Sequence, residues 1–272
     1  MLLDATGKVS LDHLYSESDP RPYFGTLREL DYQLPQWAKP HFAELIEEYR
    51  EERQVPAPTV VDLGCSYGVN AALYRCDTTM DELYDHYTGQ EAAGLDHAGL
   101  IDRDRNLVQS HDDDVRFIGL DVSAPALEYA HAAGFIDDAI HADLEQHEPT
   151  ADQRALLAEA DLVVSTGCIG YVTERTILRI AEPAGRRPWM AHFVLRMFSY
   201  EPVATSLAEL GYDTIDVPGM FKQRRFASEQ EQEQILNALR ATGMEPHELE
   251  TEGWLCAQLH LSRPDTKEEH EQ

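Results

Sequence analysis

Asp62, Gly64, Gly68, Asp121 and Asp143 are residues whose types and spacing point to chemistry. The stretch "VVDLGCSYGVNAAL" (60–73) joins an apolar run to helix-forming residues through Gly64-Cys65-Ser66-Tyr67-Gly68. Such a turn bares backbone N–H groups and the positive end of a helix dipole, and its glycines admit a ligand where a Cβ would collide. Three ligands use turns of this kind: a nucleoside triphosphate, a dinucleotide or an adenosyl compound. A triphosphate site needs Gly-x-x-x-x-Gly-Lys-Ser/Thr, and no lysine stands near position 69. A dinucleotide site needs Gly-x-Gly-x-x-Gly, which this turn does not match, and the Asp62 carboxylate would repel a pyrophosphate. The same carboxylate suits an ammonium or a sulfonium.

Asp121 ends the apolar run "VRFIGLDV" (115–122), where a carboxylate can accept both hydroxyls of a ribose. Asp143 ends "AIHADL" (139–144), placed to accept from an adenine amino group. Each charge-assisted bond of this type is worth roughly 1.5–3 kcal/mol. Any one of these aspartates could simply cap a helix. Three at successive strand ends, on the edge where open α/β sheets bind ligands, point to a site.

The elements that must carry these residues alternate strand-like apolar runs with helical periodicity, which implies a parallel α/β sheet. The strands are read at 59–64, 115–122, 139–144, 160–167 and 189–198, with Ser123 capping and Gly134 ending a helix after the second. Thr173 caps a helix whose Ile177, Ile180 and Ala181 share a face. Ser228 and Glu231 open a helix over 228–243 as a capping box, with Ile235, Leu236 and Leu239 as its buried stripe. "HELETEG" and "WLCAQLHLSRP" (247–264) read as two strands turning at Gly253, hence an antiparallel terminal hairpin. Residues 1–58 read as a mostly helical segment. Asp62 and Asp121 lie 59 positions apart, more than one crossover helix needs, so "TMDELYDHY" and "HAGLIDRDRNLV" are expected as extra helices within a 74–114 insertion. The charged end, 265–272, reads as a disordered tail.

"VVDLGCSYG", "GLDVS", "HADLE" and "ADLVVSTG", in that order and followed by the terminal hairpin, resemble the class I S-adenosylmethionine-dependent methyltransferase family over about 59–264. The resemblance implies a Rossmann-like α/β fold with a mainly parallel seven-stranded sheet, here with an N-terminal helical lid over 1–58. It implies S-adenosylmethionine as cofactor. Asp62, Gly64, Ser66 and Gly68 would face its methionine part, Asp121 would hold its ribose and Asp143 its adenine, with Val122 and Leu144 also in the cofactor site. Ser165 and Gly167 would form the wall beside the sulfonium. Two features depart from the family pattern: Ser66 replaces the middle glycine of the turn, which requires ordinary backbone angles there, and the 74–114 insertion is unusually long.

Methyl transfer from a sulfonium needs alignment and dryness more than a dedicated base, so the acceptor side is read from position. Tyr171 follows the fourth strand and either orients an acceptor or packs the helix entry; an aromatic face beside a sulfonium is worth about 0.5–2 kcal/mol. Ser199 and Arg196 end the fifth strand, and Arg196 either binds an acceptor carboxylate or neutralises neighbouring acids. Tyr15, Tyr23, Tyr32 and Trp37 are lid aromatics or packing residues, with Tyr23 and Tyr32 expected against the substrate. His192 reads as a core residue. "FKQRRF" (221–226) is an anion contact or a surface patch.

The chain has 272 residues and a net charge of −28, with four lysines, so nucleic acid is an unfavourable partner. Cys65, Cys76, Cys168 and Cys256 lack metal or disulfide spacing, and "HDDD" (111–114) has no second ligand group, so no metal is expected. No apolar run reaches the ~20 residues of a membrane helix, and no signal peptide is recognisable, so a cytoplasmic location is expected. The leading reading is an S-adenosylmethionine-dependent methyltransferase of small metabolites. Its alternatives are an enzyme that cyclises the same compound, releasing methylthioadenosine, and a non-catalytic binder. Oligomeric state is not readable.

Overall fold

A computed structural model describes residues 3, 4, 6–109, 114–184 and 186–265. His111 to Asp113 of the "HDDD" run and residues 266–272 of the expected tail lie outside the described residues. The N-terminal segment carries α1 (Asp12–Tyr15), α2 (Arg21–Glu29) and α3 (Leu34–Arg53). β1 (Thr59–Leu63) and α4 (Val69–Arg75) follow, then the insertion with α5 (Met80–Thr88), α6 (Gln90–Ala93) and α7 (His97–Gln109). Next come β2 (Arg116–Asp121), α8 (Ala124–Ala133), β3 (Asp138–His141), α9 (Ala151–Leu157), β4 (Leu162–Thr166) and α10 (Glu174–Ala181). The chain ends with β5 (Trp189–Leu195), α11 (Glu201–Glu209), β6 (Tyr212–Arg225), α12 (Glu229–Ala241), α13 (Glu248–Thr251) and β7 (Trp254–Pro264).

The described strands form one seven-stranded sheet in the order β3-β2-β1-β4-β5-β7-β6. β1 to β5 pair in parallel, and β7 runs antiparallel to both β5 and β6. This is the Rossmann-like arrangement that the family resemblance implies. β1, β4 and β5 are almost wholly buried, as expected of strands covered by helices on both faces. Val60, Phe117 and Val164 face one apolar layer with α3, while Val61, Ile118 and Val163 face another with α10 and α11. The parallel register sets Leu63 beside Leu120 and Ser165, and Asp121 beside His141, so the strand tips end together.

Local signals explain most boundaries. Ser123 accepts from the Ala126 N–H, and Gly134 closes α8 at φ +80°. Thr173 caps α10, whose Ile177, Ile180 and Ala181 are buried. The insertion shares an apolar layer with α2, α4 and α8, in which the buried Asp104 carboxylate accepts from Tyr87 (2.6 Å) and Tyr129 (2.5 Å) and meets His86 Nε2 at 2.6 Å. That network fastens α5 and α7 to α8.

Two expectations fail at the C-terminal end. "HELETEG" is not a strand: His247 accepts from the Leu249 N–H, and Glu250 reaches back to the His247 N–H, so the segment folds into α13. The strand that takes the hairpin partner's place beside β7 is the 14-residue β6, which has two register shifts and an exposed edge; its charges and Pro218-Gly219 hide the strand period. The capping box at Ser228 is half made. Ser228 accepts from the Glu231 N–H at 3.1 Å, but the Glu231 carboxylate is taken by Arg224, Val9 and Ala227.

Candidate functional site

In the sheet order, β1 has β2 on one side and β4 on the other, so successive connections diverge there and leave a crevice beyond the carboxyl ends. A cavity of about 710 Å³ occupies that place. The turn after β1 supplies Gly64, Cys65, Ser66 and Asn70 to its wall, the β2 tip Asp121, Val122 and Ser123, and the β3 tip Asp143 and Leu144. Gly167, Cys168 and Tyr171 come from the loop after β4, and Gln223 and Arg224 from β6. The N-terminal strap, residues 8–16, crosses the cavity together with Tyr23 and Tyr32.

The turn is held by Asp121. Its Oδ2 accepts from the Ser66 N–H at 2.8 Å and its Oδ1 from the Ser123 N–H at 2.9 Å. Gly64 and Gly68 have φ of +72° and +74°. A Cβ on Gly64 would meet the Cys168 side chain at 2.9 Å, so glycine serves both conformation and close packing there. Ser66, for which ordinary angles were expected, instead has φ +51°. That left-handed conformation costs a non-glycine residue about 1 kcal/mol or more, which the bond to Asp121 helps offset. Burial raises the Asp121 pKa above the usual carboxylate range, and the N–H bonds from Ser123, Ser66 and Val122 oppose it. A carboxylate offers about four lone-pair sites, so acceptor capacity remains after two backbone bonds.

Asp62 lies behind this turn with no exposed surface. Its Oδ1 accepts from Asn70 Nδ2 at 2.9 Å, and the same amide donates to Thr166 Oγ1 at 3.2 Å. Asp62 Oδ2 and Asn70 Oδ1 are buried without a hydrogen-bond partner. Two acceptor atoms are therefore left wanting a donor beside the cavity. Burial pushes the Asp62 pKa up to about 7, the Asn70 bond lowers it, and the Asp121 charge adds to the rise. A cation arriving there would favour the ionised form.

Across the β2 and β3 tips the wall is apolar with acidic points. Val122 is 65% exposed although it is a large aliphatic residue, and buried Leu144 lies in the same wall. Asp143 Oδ1 accepts from the N–H groups of Glu145 (3.0 Å) and Gln146 (3.1 Å), fixing the carboxylate at the rim.

The opposite wall has a different character. The Tyr171 hydroxyl donates to Asp4 Oδ2 at 2.9 Å, and Lys8 Nζ lies 4.9 Å from the Tyr171 ring centre. Arg224 is buried in a two-pronged pair with Glu231, at 2.6 Å and 3.0 Å. Sequence reasoning had placed Arg224 only within a basic cluster and had not singled out Lys8, Asn70, Thr166 or Gln223. The rarity of lysine in this chain was the one signal that bore on Lys8.

Several expected site residues do not reach the cavity wall, Asp62 among them, which lies behind the lining residues Leu63 and Asn70. Ser165 is wholly buried, with Oγ 2.8 Å from His192 Nδ1, and His192 is the core residue expected, its pKa pushed down to about 3 by burial. Gly68 starts α4 and packs against Ala130 and Phe135. Arg196, read as binding either an acceptor carboxylate or neighbouring acids, pairs with the buried Glu250. Ser199 is exposed and accepts from the Glu201 N–H at the start of α11, away from the cavity. The structure thus gives Arg196 and Ser199 structural partners in place of a substrate. Trp37 lies on α3, 43% exposed, and does not line the cavity. Tyr15, Tyr23 and Tyr32 do. No group of three metal-ligating side chains occurs among the described residues, and none of their helices is long and apolar enough to cross a membrane.

No family model matches this chain, and no curated protein matches it. Among solved structures it is similar to magnesium protoporphyrin IX methyltransferase from Synechocystis PCC 6803 with bound SAM. The identity is 13%, over 83% of this chain and 79% of that one, at a TM-score of 0.40. It is also similar to a SAM-dependent methyltransferase from Geobacter sulfurreducens in complex with S-adenosyl-L-homocysteine, with 14% identity over 82% and 91% of the two chains and a TM-score of 0.36. A functionally unknown protein from Deinococcus radiodurans R1 is 18% identical over 76% of this chain and 79% of that one, at a TM-score of 0.39. Likeness at these scores leaves the cavity's own chemistry to carry any functional reading.

Proposed function

We propose that the chain is an S-adenosylmethionine-dependent methyltransferase acting on a small molecule. The observation that carries this reading is the pair of buried, partnerless acceptors, Asp62 Oδ2 and Asn70 Oδ1, behind a glycine turn that opens on a cavity. Buried acceptors without donors cost roughly 1–3 kcal/mol each, and an ammonium group removes that cost. A phosphate ester would add anionic oxygens beside Asp62 and worsen it. The residues present therefore fit S-adenosylmethionine, which when bound supplies a methyl group on a positively charged sulfur.

Each residue then has a definite task. Asp62 and Asn70 take the amino end, and the Gly64–Gly68 turn lets the ligand approach the backbone. Asp121 uses its remaining lone pairs on the ribose hydroxyls while it holds Ser66 in place. Val122 and Leu144 cover the adenine faces, with Asp143 at its amino edge. Tyr171, Tyr15, Tyr23 and Tyr32 narrow the rest of the volume and exclude water, which alignment of an acceptor requires. Room beyond the adenosyl wall, bounded by Tyr171, Gln223 and Arg224, favours a second substrate over intramolecular cyclisation.

Incubating the protein with S-adenosylmethionine, alone and with metabolite mixtures, and identifying the nucleoside product tests the reading. S-adenosylhomocysteine formed only with an acceptor supports it. Methylthioadenosine from the cofactor alone would replace it with cyclisation, and binding without any product would leave a non-catalytic binder.

A further inference from the structure

Lys8 is 7% exposed, lines the cavity, and among the described residues makes no hydrogen bond or ion pair through its ammonium group. The two carboxylates nearest in charge influence are already committed. Asp4 Oδ1 accepts from the N–H groups of Thr6 and Lys8 and from the Thr6 hydroxyl, while its Oδ2 accepts from Tyr171. Glu231 accepts from Val9, Ala227 and both arms of Arg224. Among the described residues, the Tyr171 ring lies over the Lys8 ammonium group, and a second buried cation, Arg224, acts on it along with the committed carboxylates. In a chain of net charge −28, a buried lysine set beside an arginine, with no carboxylate among the described residues in direct contact with its ammonium group and only the fields of Asp4 and Glu231 to offset burial, is a costly arrangement. It becomes favourable when an oxyanion enters.

We infer that the wall beneath the N-terminal strap binds an oxyanion, a carboxylate or phosphate carried by the methyl acceptor, with Lys8 as its ion-pair partner. This rests on the S-adenosylmethionine reading of the same cavity. The placement supports an acceptor group over a cofactor group. Asp62 and Asp121 come from β1 and β2 and Asp143 from the segment just after β3, whereas Lys8, Tyr171 and Arg224 come from the strap, the loop after β4, and β6. An anionic acceptor would thus be held on the far side of β4 from the adenosyl wall. Burial and the Arg224 charge pull the Lys8 pKa down to about 8, and Asp4 and Glu231 only partly offset them. An anion in contact reverses that pull and is expected to raise it by about 1–3 pH units.

The chain has four lysines, so a sample labelled with carbon-13 at the lysine side chains gives few enough signals to follow each titration by NMR. Lys8→Arg, which keeps the charge and removes the signal, assigns the residue. The full-length protein is titrated free, with inorganic phosphate, with acetate, with S-adenosylhomocysteine, and with S-adenosylhomocysteine plus either anion. The expected result is one lysine titrating near pH 8, absent from the Lys8→Arg variant, that moves upward with phosphate or acetate while S-adenosylhomocysteine is bound. Whichever anion acts at the lower concentration identifies the oxyanion class. If S-adenosylhomocysteine alone moves the signal and abolishes the response to added anion, Lys8 pairs with the cofactor's own carboxylate and the inference falls. A Lys8 signal indifferent to every addition overturns it as well. Calorimetry of S-adenosylhomocysteine on the same sample separates the two readings: failure to bind removes the cofactor assignment, whereas binding with an unresponsive Lys8 removes only the acceptor assignment.

Discussion

The two walls of the cavity are built by different means. The wall proposed for the adenosyl group stands on the tips of β1, β2 and β3, where parallel register fixes Asp62 and Asp121 relative to one another and Asp143 follows two residues past β3. The wall proposed for the acceptor is assembled from a strap near the N-terminus, a loop after β4, and an edge strand with two register shifts. The first wall is acidic and suited to a cation; the second sets Lys8 and Arg224 against the volume and is suited to an anion. A sheet can standardise one wall across many chemistries while loops and edges vary the other.

The strongest way to break this comparison is Asp121→Ala. Asp121 couples the two tips it touches, because it holds Ser66 in a left-handed conformation as well as offering lone pairs to a ribose. Losing two charge-assisted bonds at roughly 1.5 kcal/mol each predicts about 100-fold weaker binding of S-adenosylhomocysteine by calorimetry. Asp121→Asn, which retains one acceptor oxygen, should fall between. Binding unchanged in Asp121→Ala would remove the adenosyl wall from its proposed role.

Asp62→Asn should separate ligand binding from stability. With a folded pKa near 7 against 3.8 when unfolded, the buried Asp62 keeps its proton longer in the native state. Its contribution is therefore favourable at low pH, declines as pH rises above about 4, and is fully lost above 7. Asparagine carries no such charge, so the variant should gain about 1–3 kcal/mol over the wild type in denaturant unfolding at pH 8 and nothing at pH 4. The same variant should bind S-adenosylhomocysteine about tenfold more weakly at pH 8, a difference near 1.4 kcal/mol. Wild-type affinity should itself rise with pH through 7, because an ammonium favours ionised Asp62. A variant that loses stability at pH 8 would show that Asp62 is a structural anchor.

The contrast between the walls also explains what could be read from the chain. The placement of the acidic sheet tips was legible because each strand announces itself by a buried run, and each aspartate stands at or just past the end of one. "VVDLG" and "GLDVS" carry position and chemistry together. The acceptor wall was not, because Lys8 reaches the cavity through contacts more than 160 residues away in sequence, such as Asp4 to Tyr171. β6 was missed for a related reason: an edge strand has one unpaired side and lacks the apolar period of an interior strand. Arg196 and Ser199 were considered on position alone, and of the two readings of Arg196 the structure matches the second, neutralising a neighbouring acid. They do follow a sheet strand, but β5 lies beyond β4, away from the crevice, and Glu250 of α13 already takes the guanidinium.

The N-terminal strap touches both walls and so offers the finest test of their independence. On the adenosyl side the Ser123 hydroxyl bonds the Tyr15 carbonyl, and the Tyr67 hydroxyl reaches the carbonyls of Leu14 and Glu17. On the acceptor side the Val9 N–H donates to Glu231 at 2.7 Å, and Asp4 holds Tyr171. Ser123→Ala removes the tie to Tyr15 and the side-chain cap of α8, together about 1–2 kcal/mol of stability. It touches neither Asp121 carboxylate bond, because the Ser123 N–H remains. If the strap acts as a lid, loosening one end should speed S-adenosylhomocysteine release about threefold to tenfold in stopped-flow measurements, with the Lys8 response to added anion unchanged. A Lys8 signal that shifts in Ser123→Ala would instead show that the strap moves as one piece, so that closure over the adenosyl group also positions the partner for the acceptor. Unequal effects at the two ends would mean that each wall closes on its own ligand.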